Sequence, residues 1–166
     1  MCYINNTQQD THFEFGGEMD RDIVLFDMDG TLTEARQAFS RNLSSPLWDL
    51  AKIADVGIVT GSDLNYVKEQ MSSIIDVHSI RYRLHLLPCN GTKYLIPPTS
   101  SDEDHTSIHE ASMEKELGKS NYTNLMGILL RLQAEMSEFD IPLTGHIISA
   151  RGSMINWSPM GRNADD

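Results

Sequence analysis

The chain has 166 residues, 40% of them hydrophobic and 22% charged, with a formal net charge of −11. That is enough apolar content for one folded domain of ordinary size, or one domain with part of a second. The acidic balance excludes a general nucleic-acid or anionic-membrane surface, no run approaches the ~20 apolar residues of a membrane helix, and the cysteines Cys2 and Cys89 suit a reduced cytoplasmic protein better than a disulfide framework.

Residues 1–20 are polar and without period, so they read as a loose extension with no export signal. "DIVLFDMD" (22–29) is an apolar run that ends on two aspartates and predicts a buried strand. Leu47, Leu50, Ala51 and Ala54 recur at helical spacing, which predicts a helix over 42–54 with Ser45 as N-cap ahead of Pro46. "VGIVTGSD" (56–63) repeats the strand-and-turn pattern, "LNYVKEQMSSI" (64–74) follows as a helix, and "LHLLPCNGT" (84–92) runs from a third strand into a turn. Such alternation predicts right-handed βαβ crossovers: a Rossmann-like α/β core with a parallel sheet over 21–96 and sites at the carboxyl ends of its strands.

Residues 97–120 are polar, with acidic side chains at 102–104, and read as a linker or excursion. His105 and His109 lie in this stretch four residues apart, with no further ligand nearby to make a zinc site. Beyond it, Leu125, Leu129, Leu132, Met136 and Phe139 mark one face of a helix. "GHIISARGSMINWSP" (145–159) then predicts two short strands turning near Gly152, so that 121–166 forms a partial α+β unit.

The chemistry concentrates at "VLFDMDGTLT" (24–33). In an unbroken strand Asp27 and Asp29 would face the same way. A loop beginning after Asp27 instead lets them approach one substrate from different angles. One carboxylate can then act as nucleophile toward phosphorus while the other handles a proton. Gly30 permits a tight turn whose amides can face phosphate oxygens, and Mg²⁺ would offset the gathered negative charge. A calcium loop would also space its aspartates in this way, but the preceding strand and "TLT" do not fit one.

This stretch resembles the first motif of the haloacid dehalogenase-like phosphotransferases, D-x-D-G-T. The resemblance implies that Asp27 attacks phosphorus to form an aspartyl-phosphate and that Asp29 is the general acid/base. Mg²⁺ would be held by the Asp27 side chain and the Asp29 backbone carbonyl. "GIVTGSD" is similar to the second motif, in which a hydroxyl holds the transferring phosphate; Thr60 and Ser62 are both candidates.

Three pieces together, "LFDMDGTLTEARQ" (25–37), "GIVTGSDLNYVKEQ" (57–70) and "ARGSMINWSPMGR" (150–162), resemble the eukaryotic-type phosphomannomutases from about residue 22 to 163. N-x-S-P-x-G-R is a pattern of their substrate-holding cap, and the match implies that Arg36, Arg151 and Arg162 contact the sugar phosphate. Around Arg151 the chain departs from the family: Ala150 stands in place of an aromatic, and Gly152-Ser153 in place of Asn-Gly.

The resemblance implies interconversion of mannose 6-phosphate and mannose 1-phosphate on the path to GDP-mannose, with a hexose 1,6-bisphosphate as activator, in the cytoplasm. Full-length members also carry a core lysine and a Gly-Asp metal motif that do not fit in the four residues after Arg162. The implied partners are therefore a hexose phosphate together with a second copy paired through the cap or a complementing C-terminal polypeptide. A sugar phosphatase of the same superfamily, and an inactive fragment or half of a split enzyme that binds a partner, are the alternatives.

Overall fold

The computed structural model describes residues 2–4, 21–34, 37–76, 79–162 and 164. Two compact units divide the chain at His109–Glu110, inside the polar stretch expected to link them.

In the first unit β1 (Cys2–Ile4), β2 (Ile23–Asp27), β3 (Asp55–Val59), β4 (Leu84–Leu87), β5 (Lys93–Ile96) and β6 (Thr106–Glu110) form one sheet in that order. The β2–β3 and β3–β4 pairs are parallel, as the alternation predicts, whereas β1–β2 and β4–β5 are antiparallel. The result is a mixed sheet with a parallel centre, a Rossmann-like α/β arrangement. Two expectations change here. Cys2–Ile4 pairs with β2 instead of standing loose, and the polar stretch contributes β6, every residue of which is exposed. Of the remainder of 1–20, residues 1 and 5–20 lie outside the described residues.

One face of the sheet carries Val24, Val56, Ile58, Leu84, Leu86 and Leu95, all buried. The helices α1 (Ser44–Ala51), α2 (Leu64–Gln70) and α3 (Ser72–Ile75) supply Leu47, Ala51, Val67, Ile74 and Ile75, and Met71 between α2 and α3 joins them in one cluster with Val56, Ile58, Leu84, Leu86 and Leu95. Period two in the strands and period 3.6 in the helices thus meet in a single core. The first helix is shorter than 42–54. A 3₁₀ turn over Arg41–Leu43 precedes it, Ser45 lies inside, and no side chain caps it. Pro46 is still tolerated in that first turn, where its missing N–H has no helical partner. The α2 helix does have a side-chain cap: Asp63 accepts from Tyr66 N at 2.9 Å.

The strap between β5 and β6 is tied down by His105. Its imidazole is 7% exposed, and Nε2 donates to the Leu84 carbonyl at 2.8 Å.

In the second unit α4 (Met113–Glu135) breaks at Gly118, whose φ is 75°. The strands β7 (Ile148–Ala150) and β8 (Ile155–Trp157) form an antiparallel hairpin turning at Gly152, φ 77°. Leu125, Leu129 and Met136 are half-buried as expected, but Leu132 and Phe139 are exposed, Phe139 to 61%. Gln133 takes the inward place instead. Its carboxamide accepts from Trp157 Nε1 at 2.9 Å and donates to the Pro159 carbonyl at 3.0 Å, joining helix to hairpin. No described helix is long and apolar enough to cross a membrane.

Burial above all, and then the nearby Arg81 and Lys68 charges, push the His105 imidazole below its ordinary value of 6.5. Below that value the unfolded chain takes up a proton that the folded chain resists. Stability present at neutral pH is therefore lost as pH falls through 6.5 toward the depressed folded value, with a limiting slope of about 1.4 kcal/mol per pH unit. Urea midpoints measured from pH 7.5 to 5 are expected to fall less steeply for His105→Gln, whose amide can keep the bond to Leu84. Parallel pH profiles for the two proteins would remove His105 from the account.

Candidate active site

The two aspartates stand at the carboxyl end of β2, held apart by the residue between them. Met28 is fully buried in the core. Its carbonyl accepts from Thr31 N (3.3 Å), Leu32 N (3.0 Å), Thr33 N (2.9 Å) and Thr33 Oγ1 (3.2 Å). Gly30 adopts φ 79°, which closes the loop, and its amide donates to Thr33 O at 2.7 Å. Asp27 is exposed, and its Oδ1 accepts from Met28 N at 2.9 Å. Asp29 is half-buried, and its Oδ1 accepts from the Tyr66 hydroxyl at 3.3 Å.

Asp27 is paired with Val59 across the parallel β2–β3 ladder. The D-x-D-G-T loop and the Thr60–Ser62 turn therefore leave the sheet as neighbours. Thr60 and Ser62 are each 4% exposed, and Thr60 Oγ1 accepts from Ser62 N at 3.1 Å, so the Thr60 hydroxyl keeps its proton to donate elsewhere. The turn after β4 packs beside them: Cys89 N donates to Ser62 O at 2.9 Å and Asn90 N to Thr60 O at 2.8 Å. Cys89 is buried, as its position at a strand end suggests.

Asp27, Asp29, Thr60 and Ser62 thus gather at one edge of the sheet. Arg36 lies outside the described residues. Arg151 and Arg162 belong to the second unit and are both half-buried. Arg151 sits in the hairpin turn, where its amide donates to Met154 O at 2.8 Å. Arg162 N donates to His146 O at 3.0 Å. Gly161 just before it has φ 100°, and a Cβ there would overlap the Gly145 backbone, which restricts the position to glycine.

Sequence reasoning missed Tyr66, and it read Cys89–Gly91 as a turn without placing it beside Thr60 and Ser62. Tyr66 reads as an ordinary aromatic on an amphipathic helix. A signal was present in its place three residues after the capping Asp63, within the first turn leaving the second motif.

A separate polar group occupies the opposite, amino end of the strands. Asp55 lies 3.8 Å from Arg83, 3.9 Å from Arg21 and 3.6 Å from His85 Nε2, and His85 Nδ1 pairs with the Tyr94 hydroxyl at 2.8 Å. Burial, and then the Asp55 charge, push the Tyr94 phenol up.

A mixed α/β sheet with a D-x-D-G-T loop and a hydroxyl-bearing turn at adjacent strand ends defines a core of the haloacid dehalogenase type. Among solved structures the fold is similar to the IMP-nucleotidase of Plasmodium falciparum, with TM-score 0.55 and 13% identity over 80% of this chain and 38% of that one. The IMP-bound D172N mutant of that nucleotidase gives TM-score 0.57 and 14% identity, over 80% of this chain and 37% of that one. The family model described as eukaryotic phosphomannomutase matches residues 43–166, and the chain belongs to that family. It is 34% identical over 148 residues to the phosphomannomutase of Schizosaccharomyces pombe, covering 86% of this chain and 52% of that protein. Against phosphomannomutase 1 of Dictyostelium discoideum the identity is 32% over 142 residues, 85% of this chain and 51% of the relative. The chain thus spans about half the length of the curated relatives it matches.

Because Met28 anchors the loop from below, Met28→Ala is expected to cost about 2–5 kcal/mol, the range for emptying a buried side-chain volume. Chemical denaturation measures this. A loss under ~1 kcal/mol would mean that the loop is held by its backbone bonds alone.

Proposed function

We propose that the chain supplies the phosphoryl-transfer half of a phosphomannomutase, which interconverts mannose 6-phosphate and mannose 1-phosphate. The observation that carries this reading is the β2–β3 register, which sets Asp27 and Asp29 alongside Thr60 and Ser62. Asp27 attacks the phosphorus of a hexose bisphosphate, forming the aspartyl-phosphate as the bond to the sugar oxygen breaks. Asp29 delivers a proton to that oxygen and takes one back when the other end of the sugar attacks. The Tyr66 hydroxyl restrains the Asp29 carboxylate through the oxygen it donates to. Thr60 and Ser62 hold the non-bridging phosphate oxygens. A second, inert phosphate on the sugar needs a fixed positive fork, the chemistry of Arg36, Arg151 and Arg162.

Among the described residues no group of three or more His, Cys, Asp or Glu could hold a metal ion. One or two carboxylates completed by a substrate phosphate are nonetheless a donor set that Mg²⁺ accepts. The Asp27 side chain and the Asp29 carbonyl would hold it. Its charge would offset the repulsion between carboxylate and phosphate. Pairing through the Glu110–Asp166 unit, or with a polypeptide that covers the remaining half of a relative, belongs to the same proposal, as does action in the cytoplasm.

The test supplies mannose 1-phosphate, Mg²⁺ and a hexose 1,6-bisphosphate to the chain alone and to the chain mixed with the C-terminal half of a relative. Little or no turnover is expected from the chain alone, because positioned cations provide most of the stabilisation in phosphoryl transfer. Isomerised sugar from the mixture supports the mutase. Phosphate release without isomerisation would replace it with a sugar phosphatase, and silence in both would leave an inactive fragment. In an active mixture Asp27→Asn is expected to abolish transfer, since an amide cannot form the acyl-phosphate. Asp29→Asn should slow turnover by about 10²–10⁴-fold. A phosphoryl-enzyme trapped on the Asp27→Asn protein would sink the nucleophile assignment.

A further inference from the structure

The turn after β4 adopts a costly conformation. Cys89 (φ 53°), Asn90 (φ 58°) and Gly91 (φ 79°) stand in succession in the left-handed region, and Cys89 and Asn90 are the non-glycine residues with positive φ among those described. Asparagine tolerates that region better than most residues, but cysteine has no such tolerance. Such conformations persist where surrounding contacts over-determine them, and they cluster at functional sites. Here the surroundings are the candidate phosphate turn itself, since Ser62 O and Thr60 O accept from the amides of Cys89 and Asn90. The outcome is a placement. Asn90 is exposed, yet its Oδ1 lies only 3.2 Å from where a Cβ on Gly61 would stand. No hydrogen bond among the described residues engages its carboxamide; only its backbone is used.

We infer that Asn90 is a binding residue for the phosphoryl end of the ligand, its side-chain N–H donating to a phosphate oxygen held at Thr60–Ser62. The inference rests on the proposal that a phosphate sits at that turn. A neutral donor suits this position. The two aspartates on the neighbouring strand end already repel the ligand, and a carboxamide adds a hydrogen bond without adding negative charge. Glycine at 61 leaves the room that the carboxamide fills, and a side chain there would press on it.

The experiment measures binding, so it does not need turnover. Inorganic phosphate and mannose 1-phosphate, each with Mg²⁺, are titrated calorimetrically into the full chain, into Asn90→Gly and into Asn90→Asp. Glycine holds the left-handed φ without strain, so Asn90→Gly should unfold at or above the wild-type temperature while its phosphate affinity falls at least tenfold. Asn90→Asp keeps the shape and tolerates the same φ but swaps the donor for a charge, and a larger fall is expected. Wild-type affinity in either folded variant overturns the inference and leaves the phosphate-site reading standing. Absence of phosphate binding by the wild-type chain overturns that reading, and the inference with it.

Discussion

The burial of Met28 is the constraint on which the candidate site depends. A strand that ends in two carboxylates one residue apart would, left extended, aim both the same way and bring their charges together. Here the side chain between them is drawn wholly into the core, and its carbonyl draws four donors from the next turn onto itself. Apolar burial from below and hydrogen bonds from above fix one residue, and that residue sets where Asp27 and Asp29 stand. The strands do the rest, because a parallel ladder in register brings the next strand's exit turn alongside. The core and the chemistry thus share one anchor: the buried contacts of Met28 are also the positioning of the carboxylates.

Charge is the second constraint. The site gathers two carboxylates in a chain of net charge −11 and is proposed to receive a phosphate as well. Among the described residues, Arg21 and Arg83 flank Asp55 at the opposite end of the strands, and Lys68 pairs with Asp104. A dianionic ligand at Asp27 would therefore draw on the neutral donors of the turn as well as on arginine charge, part of which Arg36 of the same unit is proposed to supply. Hydroxyls, backbone amides and a carboxamide, with no described arginine, stand at the Thr60–Ser62 turn. Each offers a hydrogen bond to an anion without demanding a counter-ion of its own.

What the sequence makes legible follows how each element is stabilised. The strands β2 and β3 announce themselves because apolar runs end abruptly at turn residues, and the two aspartates are readable because carboxylates at a strand end have few structural reasons to be there. The hairpin is readable from Gly152. Strand β6 is not, since "TSIHE" is exposed throughout and carries no alternation; its pairing is a backbone matter that leaves no side-chain trace. The inner face of α4 misleads for a related reason. Leu132 is the apolar choice at helical spacing, yet Gln133 turns inward because its amide satisfies the Trp157 indole and the Pro159 carbonyl together. A half-buried polar residue with two partners is invisible to a hydrophobic pattern. Asn90 is hidden differently: "PCNG" reads as a turn, and nothing in it discloses that Cys89 as well as Asn90 adopts a left-handed φ.

The two units differ in what holds them. The first has a continuous apolar cluster between sheet and helices. Among the described residues of Glu110–Asp166 none is buried, and Ile128, Leu130, Phe139 and Met160 are largely open to water. A helix against a two-stranded hairpin encloses too little to exclude solvent, and an isolated hairpin of this kind is marginal by itself. Its order rests on local devices instead: the Gln133 bridge, the left-handed Gly152, and the close approach of Gly161 to Gly145. Two of those devices adjoin Arg151 and Arg162, so the backbone around each guanidinium is better specified than the unit as a whole. Ordering a long arginine side chain costs up to about 2 kcal/mol of rotamer entropy, which a weakly held unit is poorly placed to meet in advance. A phosphate drawn to these arginines would contribute to the folding of this unit as well as being held by it, because any ligand that prefers the folded form stabilises that form.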